Sequence, residues 1–159
     1  MGDVLMLYRN KDGARLRRDN NSNAKYSELM ERGGPLKRSS DFQSKDVFTL
    51  SLALGYLNDI SYEIDNTDYF LKATNFGDVL PVLINAVAVE NNDGDIDILS
   101  NEDPQEIFKP AEEYANAGFE LLREKYIKQE DEFIEDLRIK ILELNKDNYI
   151  LNKLAKLDI

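Results

Sequence analysis

Two stretches of this chain leave almost no polar face to water, and any fold it adopts must bury them. In residues 45–55, Ser44 reads as the N-cap and Asp46 lies near the positive helix end; Val47, Phe48, Leu50, Leu52, Ala53 and Leu54 follow, with Gly55 close to the end. Residues 79–89 form the second, with Asp78 as cap and Pro81 tolerated in the first turn. Its Val79, Val82, Leu83, Ala86, Val87 and Val89 are expected in the core. A helix apolar nearly all round is a buried one. A chain of 159 residues, 42% of them hydrophobic, is long enough for one such core.

Around these two the sequence places amphipathic helices. Residues 24–32 make a short one, capped by Ser22 or Asn23 and ended by Gly33-Gly34-Pro35. Residues 104–127 start at Asp103-Pro104, with Glu106 completing an Asp-x-x-Glu capping box, and Pro110 is expected to kink or split the helix. Ala111, Tyr114, Ala115, Gly118, Phe119 and Leu122 form its stripe, and the small Ala115 and Gly118 allow another helix to come close, which favours self-association. Residues 130–157 carry Ile134, Leu137, Ile141, Leu144, Asn148, Leu151 and Ala155 at heptad-like spacing. A helix-turn-helix broken near residues 145–148 is the simpler reading of so short a pattern. Residues 56–77 are mixed, with room for a hairpin or an irregular segment. The fold class expected is all-α or predominantly α: a compact single-domain helical bundle with at most a minor β-hairpin, made of a basic N-terminal arm, 1–23, and a helical domain, 24–159.

No apolar run approaches the roughly 20 residues that span a bilayer. The first residues lack the basic region and cleavage site of a signal peptide, and Met6 stands where a myristoylation signal wants Ser or Thr. The expected address is cytoplasmic, with which the absence of cysteine agrees.

The chain also has no histidine. Without His and Cys there is no Ser-His or Cys-His nucleophile, no Cys/His zinc site and no imidazole proton shuttle. Asn92-Asp93-Gly94-Asp95-Ile96-Asp97 fails as a calcium loop: with Gly94 sixth, Val89 and Ser100 occupy the first and twelfth positions, where acidic oxygen is needed. In a strand, Asp95 and Asp97 would share a face and present two carboxylates to Mg²⁺, but no third carboxylate or lysine follows at nuclease spacing. Glu112-Glu113 and Glu130-Asp131-Glu132 read as solvated acidic pairs opposite apolar stripes. No catalytic residue, metal ligand or cofactor is assigned.

What remains is charge. The net charge is −11, unevenly placed: residues 1–45 hold ten basic and six acidic side chains, the rest ten and twenty-five. An acidic body repels nucleic acid, so any contact with DNA falls to the basic end. Arg15, Arg17, Arg18, Lys37, Arg38 and Lys45 are the candidate DNA-binding residues, gathered before the helix that opens at Ser44.

Two strings resemble a known family. One runs Asp41-Phe42-Gln43-Ser44-Lys45-Asp46-Val47-Phe48-Thr49-Leu50-Ser51-Leu52-Ala53-Leu54-Gly55-Tyr56. The other is Ile107-Phe108 followed by Glu112-Glu113-Tyr114-Ala115-Asn116-Ala117-Gly118-Phe119-Glu120-Leu121-Leu122. Over residues 25–125 the chain is similar to the small accessory proteins of DNA phosphorothioation (Dnd) gene clusters, the dnd system-associated protein 4 type. The resemblance implies a setting, prokaryotic DNA modification and defence against foreign DNA, and brings no catalytic residue with it. The function expected is a non-enzymatic accessory that touches DNA, or protein components of the same system, through its basic N-terminal region. The alternatives are an acidic adaptor or DNA-mimicking inhibitor docking on a basic protein, and a Mg²⁺ enzyme built on Asp95 and Asp97.

Overall fold

The computed structural model describes residues 13–31 and 43–128, together with Glu135 and Ile139. The chain divides into two compact units, residues 1–121 and 122–159. The elements run β1 (Arg15–Asp19), α1 (Ser22–Glu31), α2 (Ser44–Leu57), β2 (Thr67–Lys72), α3 (Val79–Asn91) and α4 (Pro104–Lys128), with short 3₁₀ turns at Ala73–Asn75 and Ile96–Ser100. The protein is predominantly α, with a small two-stranded antiparallel sheet among the described residues. Of the C-terminal helices expected over 130–157, Glu135 and Ile139 are helical and exposed; the rest lies outside the described residues, as do residues 130–132.

The sheet is not a hairpin. The mixed segment supplies β2, but its partner is β1, from the expected arm. The first part of that arm lies outside the described residues. From Arg15 onward it belongs to the fold, and Leu16 is fully buried. Sequence patterning sees local alternation, whereas this pairing joins segments some fifty residues apart.

Aromatic contacts assemble the first unit around the sheet. Tyr26 of α1 stacks on Phe119 of α4 with ring centroids 4.2 Å apart, and is tilted 5.9 Å from Phe70 of β2. Phe48 of α2 reaches Phe70 at 5.6 Å, and Phe76 meets Phe108 of α4 edge-on at 5.7 Å. Leu16, Leu52, Leu80, Ile84 and Ile107 close the core between them.

Several local expectations change. The residue before the first turn of α2 is Gln43, not Ser44: its N–H donates to the Asp46 carboxylate at 2.7 Å. Ser44 begins the helix, its hydroxyl 3.5 Å from the sulfur of Met30. Asp78 makes no side-chain cap. α4 is not split at Pro110 but runs through it. One backbone hydrogen bond is lost there, while Ile107, Phe108, Ala111 and Ala115 stay packed in the core, and packing outweighs a single missing bond. Asp103 does cap α4, through the Gln105 N–H at 2.9 Å. Replacing Asp103 by alanine is expected to lower stability by about 1 kcal/mol in urea unfolding.

α3 is rotated from its expected phase. Leu80, Pro81, Ile84, Asn85, Val87 and Ala88 face inward, while Val79 and Val82 are 65% and 52% exposed and Ala86 also faces water. Ala115 and Gly118 do admit a close helix, but it is α2 of the same chain. A Cβ on Gly118 would lie 1.8 Å from the Ser51 carbonyl oxygen, and one on Gly55 2.0 Å from that of Tyr114. Turned inward, these small residues offer no surface to a second copy.

Candidate nucleic-acid interface

The register of the sheet decides what each of its faces presents. Arg15 lies opposite Lys72, Leu16 opposite Leu71, Arg17 opposite Tyr69, and Arg18 opposite Asp68. A bulge falls between the Leu16 and Arg17 pairs and leaves Phe70 as the extra residue on β2. Leu16, Phe70 and Leu71 all pack on the core, so the bulge turns two successive β2 residues inward. Residues directly opposite on paired strands share a face. Arg15, Arg17, Tyr69 and Lys72 therefore share the outward one. Arg15 and Lys72 are exposed, and Tyr69 is 55% exposed.

Arg18 points inward. Its guanidinium carbon sits 4.7 Å from the ring centroids of both Tyr26 and Phe70, and its Nη2 donates to Asn23 Oδ1. Asn23 in turn donates to Asp68 at 2.9 Å. Burial pushes the Arg18 pKa down, opposed by Tyr26 and Asp68. Two ring faces and a hydrogen-bonded carboxylate hold a cation well in such a place.

The outer edge of β1 is closed by α4. Gln105 Nε2 donates to the Arg15 carbonyl at 2.8 Å, and the Arg17 N–H donates to Glu112 Oε1 at 2.6 Å. Glu112 Oε2 also accepts from Arg17 Nε and lies 3.0 Å from Nη2. Side chains two helical turns apart thus satisfy an edge that would otherwise invite another strand. Glu112 is 2% exposed, which corrects the expectation of a solvated pair with Glu113. Burial raises its pKa to about 7, against the Arg17 bonds that lower it; Glu113 adds to the rise.

The six expected basic residues therefore divide. Arg15 and Arg17 share the outward face, with Arg17 tied to Glu112, and Arg18 is on the inward side. Lys45, in the first turn of α2, reaches the turn before α3, where a Cβ on Gly77 would be 3.7 Å from its Nζ. Lys37 and Arg38 lie outside the described residues. Lys72 is the addition: no short-range pattern marks it, since only the pairing of β1 with β2 sets it opposite Arg15.

The Asp95–Asp97 pair does not stand on a strand. Asp95 precedes a 3₁₀ turn and its carboxylate accepts the Asp97 N–H at 2.9 Å, so one of the two carboxylates serves as a cap. Asp93 and Gly94 both take left-handed backbone angles, as an Asp-Gly turn requires. Among the described residues no three acidic side chains are gathered as a metal site, and no helix is long and apolar enough to cross a membrane.

Fold and face together define a small helical protein that carries a cation-bearing two-stranded ribbon on an acidic body. The family model described as DNA sulphur modification system-associated protein 4 matches residues 15–155, and the chain belongs to that family. No curated protein and no solved structure matches it.

Proposed function

We propose that this protein is a non-enzymatic, cytoplasmic accessory of a DNA sulphur modification system that contacts DNA through the outward face of its sheet. The observation that carries this reading is the Arg15–Lys72 pair. Like charges directly opposite in a sheet are destabilising. Here two exposed cations face each other, and neither makes an ion pair with a described residue, in a chain of net charge −11. An anion between them relieves the repulsion, and a phosphate backbone supplies it. In this reading Arg17 and Arg18 hold the ribbon on the body, while Arg15 and Lys72 meet phosphate. Lys37, Arg38 and Lys45 are kept as proposed DNA contacts on their charge alone.

The test is fluorescence anisotropy with a mixed-sequence duplex at low and near-physiological salt. Wild-type binding is expected to weaken steeply with salt. The double variant Arg15→Glu, Lys72→Glu is expected to bind at least about tenfold more weakly at low salt and to lose about two from the salt slope. Because both side chains are exposed, its unfolding midpoint should stay at the wild-type value. Absence of binding at low salt by the wild type, to the duplex and to its single strands alike, would transfer the basic face to an acidic protein partner of the same system.

A further inference from the structure

We infer that the outward sheet face is a platform for single-stranded DNA, with Tyr69 as its base-stacking residue. This rests on the DNA-contact reading above and states which form of DNA the face fits. The bulge is the structural cause. In a regular strand Tyr69 and Lys72, three residues apart, would point to opposite faces. Because Phe70 and Leu71 both turn inward, Tyr69 and Lys72 emerge on the same side. Tyr69 then stands opposite Arg17 and Lys72 opposite Arg15, so one exposed ring shares a face with three cations. Opposed residues are about 5 Å apart at Cβ, and alternate residues along a strand about 7 Å apart. The patch thus has the dimensions of a single nucleotide: phosphate against Arg15 and Lys72, base against the Tyr69 ring.

A duplex uses only half of such a surface. Its bases are stacked on one another, and their faces are closed to a side chain outside the helix. An unpaired base offers a face that any aromatic ring can stack on, independent of sequence. Phe70, the other ring of β2, is committed to the core against Phe48 and Tyr26. Tyr69 has no such commitment: it is 55% exposed and has no ring contact among the described residues.

The experiment compares a fluorescein-labelled 20-nucleotide single strand with its duplex on the full chain. Wild type is expected to prefer the single strand. Tyr69→Ala should weaken single-strand binding about tenfold while leaving duplex binding within twofold, and Tyr69→Phe should retain the wild-type preference. If duplex binding depends on Arg15 and Lys72 but Tyr69→Ala leaves single-strand affinity unchanged, the platform is overturned and the DNA-contact reading stands. If neither form binds the wild type at low salt, both are overturned.

Discussion

Gly118→Ala is expected to cost about 3 kcal/mol of stability, the upper part of the range for overpacked helix contacts. The sign is informative, because in an ordinary helix interior the same change stabilises by up to about 1 kcal/mol. Neither Gly118 nor Gly55 has a positive φ, so glycine is not there for backbone freedom. It is there because α2 and α4 touch backbone to backbone. The added methyl on Gly118 would stand 1.8 Å from the Ser51 oxygen and 2.5 Å from the nitrogen of Gly55. These are main-chain atoms of a helix and cannot rotate away as a side chain would. The helices must separate, and the buried Ala111, Ala115, Phe48 and Leu52 loosen with them. Urea unfolding followed by circular dichroism measures the loss. Gly55→Ala, facing the Tyr114 carbonyl at 2.0 Å, should behave alike, and the double variant should lose less than the sum because the first separation relieves the second clash. A loss below about 0.5 kcal/mol in either single variant would show that the helices part freely.

That contact was half legible in the sequence. Ala115 and Gly118 announced a close helix, but nothing local named α2 as the partner. The helices themselves could be read because their signals are local: Asp103-Pro104 opens α4, and the apolar run after Asp46 fills α2. The phase of α3 could not. The one polar residue in the middle of α3, Asn85, itself faces inward, so no polar side chain marks the outside there and Val79 and Val82 look as inward in the sequence as Leu80 and Ile84 are in the structure. The candidate site failed in the same way where it depended on long-range pairing. Arg15, Arg17 and Arg18 were visible as a basic cluster. Their different fates follow from Glu112, ninety-five residues on, and from a bulge in β2. Lys72 and Tyr69 enter the site only through that register. Glu112 looked solvated because the apolar stripe of α4 passes beside it; it is buried because a strand edge needs an acceptor there.

Glu112 also gives the second large effect. Arg17→Met keeps much of the side-chain volume but leaves a buried carboxyl without its cation, and is expected to cost about 3 kcal/mol at neutral pH. The cost depends on pH in a direction fixed by the Glu112 titration. In the fold its pKa is raised to about 7, from an ordinary value of 4.5. Between those values the folded protein holds a proton that the unfolded chain has lost, so stability from this group is complete below about pH 4.5 and falls as pH rises through 7. Arg17→Met keeps the backbone N–H bond to Glu112 Oε1 but removes the side-chain bond and the positive charge that favour the carboxylate, so the pKa climbs further and the loss continues to higher pH. Arg17→Met should accordingly be mildest near pH 5 and most severe near pH 8. Glu112→Gln isolates the titration, since the amide oxygen still accepts the Arg17 N–H but the group has no charge to lose. Other carboxylates titrate equally in both proteins and cancel in the comparison. The unfolding free energy of wild type minus that of Glu112→Gln should therefore fall between pH 5 and 8, by on the order of 3 kcal/mol. A difference that stays flat would mean that Arg17 already holds Glu112 ionised at pH 5. The link between ribbon and body would then be a charged pair throughout, and the milder cost of Arg17→Met at acidic pH would disappear with it.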